Sequence, residues 1–301
     1  MTAAAQTFRV GPSFEDYQDL AAARGWGDGL PVVPPTRARV QAMLEAVGEA
    51  PDLSLGQMPP SRRETTVEAV AVNSVMAGCR PEHFAVVLAS VRAVLDPAFN
   101  LYGIQATTNP VAPLVLVNGP GADALGFNSG TNAFGTGWSA NATVGRALRL
   151  AMSNIGDAKP DGSDRATHGF PGKFTFCAAE NEAASPWPPF HVWRGYEPTD
   201  TVVTVMGIAQ FHNIVEFVAT DPDEILAVLA ANLAIPGTNN ISYGGEPALA
   251  LCPEHAQILG SGGYSRDDVS RYLFQHARCD LAKSPAAVQA MLRSRRPSWC
   301  E

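Results

Sequence analysis

The segment Gly78-Cys79-Arg80-Pro81-Glu82-His83 gathers a thiol, a cation and an imidazole in one short stretch. Proline suits the first turn of a helix. Cys79 is therefore expected just before a helix start, where free N–H groups and the positive dipole end stabilise a thiolate. Arg80 would add charge and His83 could serve as base, which makes Cys79 a candidate nucleophile or redox centre. The competing reading is a small buried residue at a tight helix junction, a setting where free cysteine is common.

A second group lies at the end of an expected strand, where Cys177 is followed by Glu180, Asn181 and Glu182. Strand ends that feed polar loops are where α/β proteins place their chemistry. Glu180 can act there as acid or base, with Cys177 and Asn181 beside it on the substrate, although core packing beside Phe174 and Phe176 is the plainer reading of Cys177.

The third and strongest local signal runs from Asn118 to Arg146. It is dense in glycine and carries Asn118, Asn128, Asn132 and Asn141, then enters a helix that holds Thr143 and Arg146. Backbone N–H groups of such a loop, a helix N-terminus and an arginine together suit an anion. The alternative is a loop closed by its own asparagines. His168, in Asp161–His168, is a candidate proton carrier, and an exposed loop histidine is the plainer reading.

Several chemistries lack their signature. The glycine spacing fits neither a Walker loop nor a dinucleotide fingerprint, and no Gly-x-Ser-x-Gly elbow occurs. Cys79 with His83, and Cys252 with His255, do not match zinc spacing. No flavin, nicotinamide or transition metal is expected.

The elements that must position these residues follow from periodicity and caps. Helices are expected from Ser13, over residues 36–47, over 67–76 behind a Thr65/Glu68 capping box, over 81–95, 141–153, from Asp221-Pro222, and from Ser265. Strands are expected at 114–117, 173–178, 202–208 and 248–251. These predict an α/β or α+β fold, a mixed sheet flanked by helices. Residues 1–63 read as a polar lead-in with short helices and 64–301 as the main domain. Val67–Ala71, Pro81 onward and Pro113–Val117 parallel Val215–Ala219, Pro222 onward and Pro247–Leu251. This suggests an internal repeat, 66–130 against 214–262, and two pseudo-symmetric halves.

Of the 301 residues 46% are apolar and 17% charged, with a net charge of −8 and no long run of like charge. A packed core is expected, and nucleic acid is not an expected partner. Met1 to Gln6 lacks a signal-peptide pattern, and no stretch approaches the ~20 apolar residues of a membrane span. The five cysteines, Cys79, Cys177, Cys252, Cys279 and Cys300, have no framework spacing. Free thiols and a cytoplasmic protein are expected. Ser185–Pro189 is stiff and aromatic, suited to a pocket wall or to the subunit contact of a homo-oligomer.

The runs Thr66-Val67-Glu68 to Met76-Ala77-Gly78-Cys79, Ala106-Thr107-Thr108 to Val117-Asn118-Gly119-Pro120, Ala140 to Ala147, Pro171-Gly172-Lys173 and Pro253 to Ala256 carry a resemblance. They resemble a family of largely uncharacterised bacterial proteins that accompany, or are fused to, redox (seleno)proteins with a Cys- or Sec-Gly-Ser-Cys motif. The resemblance spans residues 28–280. It implies sulfur, selenium or reductive chemistry through a redox partner, an association rather than a mechanism. This chain has no Cys-Gly-Ser-Cys segment of its own.

The favoured expectation is an enzyme that uses the Cys79 thiol on a small polar, anionic substrate, as lyase, hydrolase or thiol-dependent reductase. One alternative is a cofactor-free acid/base catalyst using Glu180, His168 and Arg146, with Cys79 structural. The other is a non-catalytic binding subunit of a redox partner.

Overall fold

A computed structural model describes residues 6–299; Cys300 and the first five residues lie outside them. The chain forms two compact units. One is the chain up to Glu182 together with Pro189–Gln210; the other is Ala183–Pro188 together with the chain from Phe211 on.

In the first unit the helices begin and end on local chemistry. α1 (Phe14–Ala23) opens on a Ser13/Asp16 capping box, and α2 (Arg37–Val47) opens on Thr36 and stops at left-handed Gly48. A β1 (Ser54–Met58) and β2 (Arg63–Thr66) hairpin leads into α3 (Val67–Ala77). Thr66, not Thr65, caps α3, because its side chain accepts the Ala69 N–H; Thr65 is buried in β2. Pro81–His83 is a 3-10 turn and α4 starts at Phe84 (Phe84–Leu95). After α5 (Leu101–Gln105) come β3 (Ala112–Asn118), α6 (Pro120–Ala124) and α7 (Ser139–Asn154). β4 (Cys177–Ala179), α8 (Phe190–Trp193) and β5 (Val202–Ile208) complete the unit.

β3 is the middle of a mixed sheet, parallel to β4 and antiparallel to β5. The pleat sends Val115, Val117, Cys177, Ala179, Val203 and Val205 into the main core. Leu114, Phe176, Met206 and Ile208 go to a smaller cluster closed by Phe170. Both faces are covered, so β3 reads as an unbroken apolar run. α7 reaches β4 so closely that a Cβ on Gly145 would stand 2.6 Å from the Phe176 amide nitrogen. Here the expected strand at 173–178 is corrected: Pro171–Lys173 is a 3-10 turn and pairing begins at Cys177.

Residues 6–63 are not a separate lead-in. Tyr17, Ala21, Val32, Val40, Met43, Leu44 and Met58 belong to the same core as α3, α4 and α7.

The second unit is helical: α9 (Pro222–Leu233), α10 (Asn239–Tyr243), α11 (Pro253–Ser261), α12 (Arg266–His276) and α13 (Ala286–Arg295). Ile225, Leu226, Leu229, Leu259 and Val269 form its core, with Trp187, Leu249 and Leu251 packed on it. Residues 248–251 are coil rather than the expected strand, and 215–219 are coil rather than helix. α9 and α11 occupy the sequence positions that match α4 and α6, while α3 and β3 have no counterpart. Among the described residues no single helix is long and apolar enough to cross a membrane.

Candidate active site

The carboxyl end of the parallel β3–β4 pair collects polar side chains from three elements. Asn118 closes β3, fully buried. Gly119 follows at φ 87°, and a Cβ there would collide with the Asp200 carbonyl at 1.9 Å, so the turn into α6 requires glycine. β4 continues for one residue as the Glu180 N–H meets the Val117 carbonyl at 3.2 Å, and a tight turn brings Glu182 back beside it.

Asn118 Nδ2 donates to Glu180 Oε2 at 2.5 Å and to Glu182 Oε1 at 3.0 Å. The Gly119 N–H donates to Glu182 Oε1 at 2.7 Å, and the Phe190 N–H to Glu180 Oε2 at 2.7 Å. Two carboxylates thus converge on one amide. His191, in α8, places Nδ1 3.6 Å from Glu182 Oε1; its side chain is 0% exposed and that of Glu182 is 27% exposed. Both His191 nitrogens and Asn118 Oδ1 are buried without a hydrogen-bond partner. Asn181 lies in the turn between the two glutamates.

Sequence reasoning named Glu182 only as a neighbour of Glu180 and missed His191 altogether. The signal was present in the rigid Ser185–Pro189 segment, which delivers Phe190 and His191, but nothing in the spacing pairs residue 191 with residue 118.

The other expected site residues serve different ends. Cys79 is not at a helix N-terminus. Its N–H donates to the Ser74 carbonyl and helps close the C-terminal end of α3, and its thiol donates to the Thr143 carbonyl at 3.1 Å. Burial pushes the thiol up to about 12, against small opposing effects of the Thr143 hydrogen bond and the Arg146 charge. Burial therefore disfavours a thiolate at this position at neutral pH. Cys177 is buried as well, and burial, with Cys79 nearby, raises its thiol too.

His83 is buried, with Nε2 3.0 Å from the Leu125 carbonyl, and lies at an open cleft of about 360 Å³ with Arg80, Glu82, Asp123 and Ser139. That cleft does not include Glu180 or His191. His168 is exposed and bonds its neighbour Gly169, on a segment tied to Thr108. Thr108 precedes β3 and Asn118 ends it, so on the order of 20 Å of strand separates His168 from Glu180.

The expected anion cradle is also corrected. Arg146 makes a bidentate pair with Asp28 at 2.7 and 2.8 Å and bonds the Leu30 and Pro31 carbonyls. It clamps the N-terminal segment, its fork occupied by Asp28 and its side chain only 14% exposed. Burial works against the Asp28 carboxylate, but the Arg146 hydrogen bond and charge outweigh it and hold it below the usual range.

Asn141 bonds the Asn128 N–H through Oδ1 and the Asn128 and Ala133 carbonyls through Nδ2. Asn128 and Asn132 bond Thr131 and Thr136 in the same loop. Thr143 returns its hydroxyl to the Ser139 carbonyl, one turn back in α7. Of the expected substrate-binding asparagines, only Asn118 and Asn181 stand with Glu180.

Among the described residues no group of three or more His, Cys, Asp and Glu is arranged to hold a metal. No protein-family model, curated protein or solved structure matches this chain.

Proposed function

We propose that the chain is an enzyme that moves protons on a small polar substrate. Glu182 meets the substrate as acid or base, and His191 behind it exchanges the proton. Asn118 and the Gly119 N–H hold the Glu182 carboxylate in one orientation, and Glu180 is locked beside it by Asn118 and the Phe190 N–H.

One observation carries this reading: the two buried side chains that meet the Glu182 carboxylate, Asn118 and His191, hold three polar atoms without hydrogen-bond partners, while Glu182 itself reaches solvent. An unpaired buried polar group costs about 1–3 kcal/mol, and a cluster of them points to a role other than stability. A buried imidazole beside a positioned carboxylate is the arrangement general acid–base catalysis uses. The thiol has no part in it.

The test works with the substrate unidentified. Small carbonyl, hydroxy and amide compounds are incubated with the protein in D2O, and loss of C–H signal is followed by proton NMR. Exchange above the buffer rate is expected for at least one class, and Glu182→Gln should slow it 100-fold or more. Unchanged exchange in Glu182→Gln, or no compound exchanging above buffer, overturns the reading.

A further inference from the structure

We propose that the open cleft beside His83 is a binding site for a small zwitterion, an α-amino acid. The Arg80–His83 turn, the end of α6 and the start of α7 meet there. The site is separate from the Glu180–His191 centre and does not rest on the reading given for it.

The donors of the cleft come from α7 and Arg80. The first hydrogen bond inside α7 runs from the Ala142 N–H to the Trp138 carbonyl at 3.1 Å. The N–H groups of Ser139, Ala140 and Asn141 therefore precede the helical ladder, and no side chain caps them, since Trp138 at the cap position offers no oxygen. Ser139 and Ala140 line the cleft. A helix of 16 residues brings the positive end of its dipole to the same place, a setting that suits a carboxylate. Arg80 lines the cleft as well; its side chain is 70% exposed and stands 3.6 Å from Glu82, which leaves most of its fork open to a ligand.

The acceptors come from the other residues of the cleft. His83 is 3% exposed, and its Nε2 lies 3.0 Å from the Leu125 carbonyl. A carbonyl only accepts, so Nε2 carries the hydrogen and the neutral ring keeps a lone pair on Nδ1. Nδ1 is buried without a hydrogen-bond partner. Such an atom is uncommon in a folded protein and costs about 1–3 kcal/mol. What it lacks is a donor. The carboxylates of Glu82 and exposed Asp123 stand on the same cleft and call for the same kind of group, one that donates hydrogen and carries positive charge.

This mixture of signs selects the ligand. A simple anion would satisfy the helix start and Arg80 but would meet two carboxylates. A simple cation would satisfy Glu82 and Asp123 but would meet Arg80 and the positive end of α7. A molecule that carries both charges meets both sets of groups, and its ammonium supplies the hydrogen that His83 Nδ1 is missing. An α-amino acid is the smallest such molecule. The cleft volume of about 360 Å³ suits it, lying near the lower end of the range for small-molecule sites, roughly 300–1,000 Å³.

Three related probes test this on the full chain: L-alanine, L-lactate, which lacks the ammonium, and L-alaninamide, which lacks the carboxylate. Binding is followed by saturation-transfer NMR and by the shifts of the His83 imidazole. L-alanine is expected to saturate the site, and lactate and alaninamide to bind about tenfold more weakly or worse. Ser139→Pro removes one donor N–H at a helix position that proline suits, behind a Trp138 already extended at ψ 121°. It should keep the thermal midpoint, weaken alanine and leave alaninamide unchanged. Asp123→Asn should weaken alanine and alaninamide and leave lactate unchanged. His83→Gln keeps an N–H for the Leu125 carbonyl, removes Nδ1 and should weaken alanine about tenfold; if it does not fold, the two exposed positions decide. No saturable binding of alanine, or binding that neither Ser139→Pro nor Asp123→Asn changes, overturns the proposal. Lactate or alaninamide binding as tightly as alanine overturns the assignment to a zwitterion.

Discussion

The loop from Asn128 to Asn141 and the turn from Glu180 to His191 are both polar, and they use their polar atoms in opposite ways. In the loop, amide groups close on their own backbone: Asn141 alone satisfies three main-chain groups, and Asn128 and Asn132 tie the intervening turns. The turn instead leaves both His191 nitrogens and Asn118 Oδ1 unpaired in the interior, next to two carboxylates. Polar density alone therefore does not mark a site. A polar segment that satisfies itself is architecture, and one that keeps unsatisfied atoms beside a reachable carboxylate is the better candidate for a site.

The largest expected effect separates a brace from a ligand. Asp28→Ala leaves the Arg146 guanidinium enclosed without its partner, and it should cost about 3 kcal/mol or more of stability. Urea unfolding reads this directly. An unchanged midpoint would show that Arg146 is not a clamp and reopen its role toward an anion. Next in size is Glu182→Gln, expected to lose 100-fold or more in catalysed exchange, about 2.7 kcal/mol of barrier, with the midpoint little changed. If the two variants exchanged phenotypes, the contrast between architecture and site would be reversed.

Asn141→Ala belongs to the first class. It removes three hydrogen bonds that close the loop and should cost about 1–3 kcal/mol of stability. Exchange catalysed at Glu182 should stay within a few-fold of the parent. A large loss of catalysis with stability intact would return the loop to the substrate side of the comparison.

How far the sequence reaches depends on the range of the interaction. Caps and turns are local, so Ser13, Thr36, Asp221 and Ser265 each announce a helix that the structure contains. β3 and β5 are legible because their apolar runs are bounded by turn residues. Residues 248–251 show the limit: the same kind of run is coil, because a strand needs hydrogen-bonded neighbours, and these come from distant chain. Cys79 fails for a related reason. Pro81 correctly marks the next turn, but whether Gly78-Cys79 ends one helix or starts another depends on the Cys79 N–H reaching back to Ser74. The convergence of Asn118, Glu182 and His191 is tertiary throughout, and no spacing rule contains it.

The smallest expected effect concerns the thiols, and its sign follows from burial. In the unfolded chain Cys79 ionises near its ordinary value of 9.0, and in the folded protein burial raises it to about 12; Cys177 moves in the same direction. Between those values the folded state retains protons that the unfolded state has lost. Folding is then favoured less as pH rises, by up to about 1.4 kcal/mol per pH unit for each thiol. Below pH 8 both states hold the protons and these groups contribute no slope. Stability should therefore be flat from pH 7 to 8 and fall between about 8.5 and 10, before tyrosine ionisation in the unfolded chain adds its own share through Tyr17, which burial also raises to about 12. Cys79→Ala removes one of the two groups and should make the fall shallower by about half, whatever it does to stability at pH 7. Labelling with iodoacetamide at pH 8 gives the kinetic counterpart: exposed Cys252 should react well ahead of buried Cys79 and Cys177. A fast Cys79, or a slope that Cys79→Ala leaves untouched, would mean that the thiol meets solvent in the folded protein and would restore it as a candidate nucleophile.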